Sequence, residues 1–482
     1  MIETEGGVYM FLIIDIGSTF TKLVVFTNDL RINEVRSFPT PYGSYGEVNK
    51  CIDPNKFWSE LARGISLLDL DQRTTELWIS ITGMGSSIIP LDNTGSPLYP
   101  VITWLSFFPI PKEDIRRMNV ATTGKYPMVL YPLYKIAYLQ KRLGRVSKWV
   151  SLPDLILSKL TEQKEFYTDF SFASRSMLFS DAMCRWDSDL LRSLSMNEQN
   201  VPIIVEAGTV IGSVPSSVRK FLRLPSNTHV AVGMHDHVAT LYLANFIFNG
   251  ESLIVDSTGT SEAVEILVLK TDNQLVFRAP QYLLNTESTW DKEYIALVGY
   301  PCPSGLVMNL AINYGFKWYE LLREPLPRVL FIPFKRRLLN NDGKLVLENC
   351  NNLSFSELLR AMIFGTQFEL NTVIKDLENL LFPTAKNLVI FGGQASNEVL
   401  CQLKAYVTGF TVQAYPHVYS AALGTALRTL KINDAIDNFK LLELRTYLIE
   451  KAEGFMPEEG NISKVIKKMA DKYLKLVKEV KT

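Results

Sequence analysis

Four short stretches of this chain gather carboxylates, hydroxyls and glycines at spacings that could do chemistry. The first, "DIGSTFTK" (15–22), joins two apolar, strand-like runs, Phe11 to Ile14 and Leu23 to Phe26. It presents the carboxylate of Asp15, the hydroxyls of Ser18 and Thr19, the backbone amides around Gly17 and the cation of Lys22. That set suits a metal–phosphate pair, although residues of these types also make an ordinary hairpin turn. The second stretch, "DSTGTSE" (256–262), repeats the grammar with Gly259 and Thr260. The third, "GMHDH" (233–237), sets Asp236 before the apolar run "VATLYLA". A carboxylate there can cap the helix that follows or serve as a general base, and the two roles can coexist. The flanking His235 and His237, two residues apart on a turn, do not make a metal site by themselves. The fourth, "GGQAS" (392–396), lies between a strand and a helix. Its glycines allow close backbone approach, and the helix N-terminus offers amides to an anion or a polar ring.

The elements that must hold these stretches read as alternating α and β. "LWISITGMGSSIIPLDNTGSPLYPVITW" (77–104) is β-rich, with a loop at "DNTGSP". "PDLILSKLT" and "DSDLLRSLSM" carry apolar residues at helical spacing. "HVAVGMHDHVATLYLAN" (229–245) passes from strand to turn to apolar helix. "SLIVDSTGTSEAVEIL" (252–267) echoes the opening as strand, Asp, Gly with hydroxyls, strand, which hints at an internal repeat. The last stretch, 461–482, spaces Ile462, Ile466, Met469, Tyr473 and Val480 as one face of an amphipathic helix expected to pack on the body.

Composition narrows the possibilities. At 482 residues, two or more domains are expected, and 47% hydrophobic content is ample for their cores. Lys plus Arg and Asp plus Glu both number 50, which argues against a nucleic acid or an anionic membrane as the main partner. The five cysteines are scattered without a C-x-x-C pair, so neither a disulfide framework nor a zinc site is indicated and a reducing cytoplasm fits. The N-terminus does not read as a signal peptide, and no apolar run is long enough to span a bilayer.

Taken in order, these stretches resemble the FGGY family of carbohydrate kinases. "DIGSTFTKLVVF" is similar to its first phosphate loop, "SITGMGSSIIPLDNTGSPLYPVITW" to its substrate-side strand pair, and "TDFSFASR" to its Thr-Asp-x-Ser-x-Ala-x-Arg segment. "GMHDH" resembles the catalytic turn, "DSTGTSEA" the second phosphate loop, and "IFGGQASNEVLCQLKA" with "SAALGTAL" the adenosine loop and closing helix. The resemblance spans about residues 10 to 430. It implies an α/β fold of two actin-like (ribonuclease H-like) domains, each a mixed sheet flanked by helices, with a nucleotide cleft between them. The expected division is 10–240, 241–435 and a helical tail, 436–482. The implied activity is transfer of the γ-phosphate of ATP to a small sugar, polyol or sugar acid. Asp236 would be the general base and Asp15 would hold Mg²⁺. Ser18, Thr19, Lys22, Gly259, Thr260, Gly392, Gly393, Gln394 and Ser396 would hold the nucleotide. Met84, Ser86, Trp104, Asp169 and His235 would lie near the acceptor. For Asp169 a turn-fixing role stands beside the substrate role. A homodimer is a state the resemblance allows.

The chain also departs from the family pattern. Trp-x-Asp-x-Arg is replaced by Trp104-Leu105-Ser106-Phe107-Phe108, and the Arg-Glu pair of glycerol kinases by Gly85-Ser86. "FIPFKRRLLNNDG" (331–343) lacks the usual Gly-Glu-Arg-x-Pro. A ketopentose such as xylulose is the first acceptor to consider, with a gluconate-like acid or a four-carbon polyol open. The second functional class is an actin-fold ATP-binding scaffold or regulator, or a degenerate family member, without small-molecule kinase activity. "GMHDH" separates the two, because a scaffold needs no base at that turn.

Overall fold

The computed structural model describes residues 8–70, 74–108, 110, 121–251, 253–259, 261–269, 284–301, 305, 307, 313–315, 331–332, 346–347, 354–381, 387–457 and 460–481. Two large mixed sheets dominate. The first contains β1 (Val8–Ile16), β2 (Phe20–Phe26), β3 (Ile32–Pro39), β4 (Thr74–Gly83), β5 (Val210–Ser213) and β6 (Asn227–Ala231), in the order β5-β6-β4-β1-β2-β3. The second contains β7 (Ile254–Thr258), β8 (Glu262–Leu269), β9 (Leu284–Ser288), β10 (Tyr294–Gly299), β11 (Asn387–Gly392), β12 (Thr411–Ala414) and β13 (Glu453–Phe455), in the order β9-β10-β8-β7-β11-β12-β13.

The echo heard in the sequence is structural. β1 pairs antiparallel with β2 and parallel with β4, and β7 pairs antiparallel with β8 and parallel with β11. Each hairpin turn therefore emerges at the same end of its sheet as the loop after the parallel neighbour. In open α/β sheets that end is where ligands bind. The expected two-domain α/β architecture is present. The tail adds more than helix: β13 extends the second sheet by pairing antiparallel with β12.

Strand alternation explains why β1 and β2 sit centrally. Leu12, Ile14, Leu23 and Val25 pack on one face with helix α1 (Pro54–Ser66) and helix α2 (Leu152–Thr161). Phe11, Ile13, Val24 and Phe26 fill the other face. Both faces are covered, as the unbroken apolar runs require. Both helices start on strong signals. Asp53 caps α1 by accepting from the amides of Asn55 and Lys56, and Ser151 with Asp154 forms a capping box at α2.

Between the sheets lie helix α4 (Asp236–Ile247) and helix α7 (Ser420–Ile432), sharing one core with inner-face residues of both sheets. Burying Val238, Leu241 and Leu243 there contributes about 1.5–3 kcal/mol each. The helices approach closely because Gly424 has no side chain: a Cβ there would lie 2.1 Å from the carbonyl oxygen of Ala239. Helices α5 (Phe355–Leu381) and α6 (Glu398–Thr408) cover the outer face of the second sheet. Helix α8 (Asn461–Lys481) docks on them through Ile466 and Tyr473, whose hydroxyl donates to Glu369 at 2.5 Å. No helix among the described residues is long and apolar enough to cross a membrane.

Candidate active site

Three turns and two helix starts meet around a cleft of about 480 Å³ between the sheets. The β1–β2 hairpin forms one wall. Its register sets Asp15 opposite Lys22, whose ammonium donates to the carboxylate at 2.9 Å. Ser18 and Thr19 sit at its tip, and the Gly17 amide donates to the carbonyl of Phe20. The opposite wall is the β7–β8 turn, with Ser257, Thr258, Gly259 and Ser261, beside the Gly392–Gly393 turn. These two turns are tied together. The Gly393 amide donates to the Thr258 carbonyl at 3.0 Å, and the Thr258 hydroxyl donates to the Phe391 carbonyl at 2.8 Å. Gly392 has a φ of +95°, and a Cβ there would lie 2.0 Å from the Thr258 carbonyl oxygen. Ser396 and the segment from His417 to Ala421, at the start of α7, complete that wall. Asp236 and His237, at the start of α4, line the floor.

Asp236 is the first residue of α4 and not its cap; the capping position is His235, which makes no side-chain capping bond. The Asp236 carboxylate accepts from the His237 amide at 2.8 Å and lies 3.1 Å from Nε2 of His235. Burial opposes its ionisation, but His237, His235 and that amide outweigh burial and hold the carboxyl below its ordinary range. Burial pushes His237 down to about 4, so its ring is neutral at pH 7, with Nε2 3.3 Å from the Ser261 hydroxyl. Asp15 is raised from the usual carboxylate range by burial, against the pull of Lys22. Lys22 is raised chiefly by Asp15.

The donor set suits a hard cation carrying phosphates: the Asp15 and Asp236 carboxylates and the Ser18 and Ser257 hydroxyls offer oxygen alone. His235, Asp236 and His237 also offer ligand atoms within 4.8 Å of one another. There, Nε2 of each ring already faces Asp236 or Ser261.

The other sequence-predicted residues divide by location. Trp104 donates from Nε1 to the Ser18 hydroxyl at 3.0 Å, and Met84 offers its sulfur to Ser18 and to the Tyr42 hydroxyl. Both therefore support the hairpin tip. The Gln394 amide faces Thr258 Oγ1 at 3.3 Å, so this residue braces the second wall without lining the cleft. Ser86 is buried and donates to the Arg175 carbonyl. Asp169 is wholly buried and caps helix α3 (Phe170–Ser174), accepting from the Ser171 and Phe172 amides and the Ser171 hydroxyl. That hydroxyl in turn accepts from the His235 amide at 2.8 Å, so Asp169 fixes the Gly233–His237 turn from behind and does not line the cleft. Burial pushes the Asp169 carboxyl up to about 7. Thr260 and most of 331–343 lie outside the described residues.

The departures at Ser106 and Phe108 are absorbed by packing. The Ser106 hydroxyl donates to the Lys50 carbonyl at 2.9 Å, and Phe108 is a core residue set edge-on to Tyr138. Sequence reading gave Glu262 no role; in the structure it meets the Lys404 ammonium at 2.9 Å, and Lys404 also pairs with Asp256. It also passed over His417 to Tyr419, and it passed over Glu287 and Tyr300, which reach Arg175 and His235 from the second sheet. The flanking "SAALGTAL" could have pointed to the former.

This architecture has relatives. The profile of the FGGY family of carbohydrate kinases, N-terminal domain, matches residues 10–242, and that of its C-terminal domain matches 344–431. The gluconokinase of Bacillus subtilis (strain 168) is 24% identical over 469 residues, covering 88% of each chain. The L-fuculokinase of Escherichia coli (strain K12) is 24% identical over 373 residues, covering 72% of this chain and 76% of its own. A ligand-bound xylulose kinase from Lactobacillus acidophilus superposes with a TM-score of 0.81 at 19% identity, covering 98% of this chain and 97% of its own. Plasmodium falciparum glycerol kinase with ADP superposes with a TM-score of 0.80 at 18% identity, covering 98% of both. The two matches, in this order and together covering more than half of the chain, make it a member of the FGGY family of carbohydrate kinases.

Proposed function

We propose that the protein transfers the γ-phosphoryl group of ATP to a hydroxyl of a small sugar, polyol or sugar acid, with Asp236 as general base. One observation carries the reading: two glycine-bearing turns from different sheets and the Asp236 carboxylate line the same cleft. The phosphates would lie between the two glycine-bearing turns, beside Ser18 and Thr19 on one wall and Gly259 and Gly393 on the other. Ser396 and the start of α7 would border the nucleoside. Asp15 would hold Mg²⁺, which would supply neutralisation of phosphate charge.

Asp236, its carboxyl held below the ordinary range, is ionised at neutral pH and could accept the acceptor's hydroxyl proton. The freed oxygen pair attacks the γ-phosphorus in line. The bond from that phosphorus to the bridging oxygen breaks, and ADP departs with its electron pair. Lys22 would stabilise the developing charge. Closure of the two walls would exclude water, which competes as acceptor.

Relatives named for gluconate and L-fuculose, and solved structures of xylulose kinases, set the acceptor panel. A ketopentose such as xylulose is the first candidate. Gluconate-like acids and four-carbon polyols follow. A coupled ADP-release assay over that panel, beside Asp236→Asn, tests the proposal. We expect one acceptor to raise turnover, and the variant to lose about 10²–10⁴-fold in kcat with the ATP KM little changed. Full activity in the variant would refute the base, and no stimulation by any acceptor would refute the reaction.

A further inference from the structure

Behind the catalytic turn, an acid of the second sheet reaches the His235 ring of the first domain. Glu287, on β9, is wholly buried, and its Oε1 lies 2.6 Å from Nδ1 of His235. The opposite nitrogen of that ring, Nε2, lies 3.1 Å from Oδ1 of Asp236. One imidazole thus stands between a carboxylate from each half of the molecule. Glu287 is itself steadied: its Oε2 accepts from the Tyr300 hydroxyl at 3.4 Å and lies 3.6 Å from Arg175 Nη1. Burial would favour its neutral form, but His235 and Arg175 outweigh burial and hold the carboxyl down to about 2, so it is charged. Its strand is stitched to the first domain. The Thr286 amide donates to the Gly124 carbonyl at 2.8 Å, and the buried Lys125 ammonium donates to the Thr286 carbonyl at 2.6 Å.

We propose that Glu287 is a positioning residue for Asp236, acting through His235, so that the base is correctly aimed only while β9 is docked on the first domain. This rests on the reading of Asp236 as the base. The physical reason is orientational. A carboxylate on the first turn of a helix can rotate about its side-chain bonds. The His237 amide and His235 Nε2 both engage Oδ1, which leaves Oδ2 for the acceptor hydroxyl. His235 can hold that geometry only if its own ring is fixed, and an acid at the far nitrogen is how imidazoles are fixed in other sites. The device also makes the second domain a party to proton transfer, so a molecule with its domains apart has a poorly aimed base and wastes less ATP on water.

The test compares Glu287→Gln, His235→Asn and the double variant in the ADP-release assay, using the panel acceptor with the highest rate. Glu287→Gln should lower kcat about 10–100-fold, with the ATP KM unchanged. It should cost nothing further in the His235→Asn background, because its effect passes through that ring. The chain has only four histidines, so ¹⁵N-histidine labelling gives few imidazole signals. Those of His235, identified by their loss in His235→Asn, should shift in Glu287→Gln. Unchanged kcat, unmoved His235 signals, or losses that multiply in the double variant would each overturn the proposal. If Glu287→Gln does not fold, His235→Asn decides alone: reduced kcat at unchanged ATP KM supports the relay, and wild-type kcat overturns it. Loss of activity in Asp236→Asn with none in Glu287→Gln would sink only this relay. Activity retained in Asp236→Asn would sink the base assignment itself.

Discussion

Replacing Lys404 with methionine isolates what holds the β7–β8 turn in shape. Lys404, on α6, pairs with Asp256 in the middle of β7 and with Glu262 at the start of β8, and all three side chains are at most 2% exposed. Methionine keeps much of the volume and removes the charge, leaving two acids buried without their cation. Breaking a buried pair in this way costs about 3–5 kcal/mol. At about 2–4 °C per kcal/mol, the unfolding midpoint should fall by roughly 6–20 °C. The loss should depend on pH with a definite sign. Burial already pushes Asp256 up to about 7, with Lys404 opposing and Glu262 adding to the rise. The unfolded chain titrates near 3.9. An acid raised in the fold contributes stability that is complete below about pH 4 and lost as pH climbs through about 7. Without Lys404 the folded value rises further, so the gap between variant and wild type is widest near pH 8 and narrows toward pH 6. Differential scanning calorimetry at the two pH values measures it. A variant within about 2 °C of wild type at pH 8, or a gap that widens on acidification, would refute the account.

Two further outcomes follow from the hairpin wall. Lys22→Met removes the cation beside Asp15, and kcat should fall about 10²-fold or more in steady-state assays, with a smaller rise in the ATP KM. Trp104→Phe deletes the donor to Ser18, a bond worth about 1 kcal/mol, so ATP binding by calorimetry should weaken about fivefold while the fold is retained.

What could be read in advance was local. The carboxylate, hydroxyls and cation of the first hairpin lie within eight consecutive residues, and strand register alone brings Asp15 to Lys22. The Gly-Gly turn likewise announces itself, because Gly392 adopts a backbone conformation that a side chain would strain. The helix caps at Asp53 and Ser151 follow the same short-range rules. The rest depends on the packing of distant segments. Glu287 meets His235 from another sheet, and Lys404 meets Asp256 from a helix 148 positions away. A lone buried acid or lysine leaves no periodic trace in a sequence. Asp169 shows the same limit from the other side: its residue type suited a sugar hydroxyl, but only the fold turned its carboxylate toward its own helix. Ser106 and Phe108 look like missing active-site partners on paper and prove to be a backbone bond and a core ring.

The close seat of Gly424 against Ala239 has a mechanical outcome. Thr240 and Ser420 also touch through their hydroxyls at 3.0 Å, one turn and no turn, respectively, beyond the starts of their helices. The pair works as an axle. In the proposed reaction the base, Asp236, and the shelf at the start of α7 would then swing as one piece, any opening stroke would fall to the outer rims of the two sheets, and enlarging residue 424 would jam the bearing without touching either ligand.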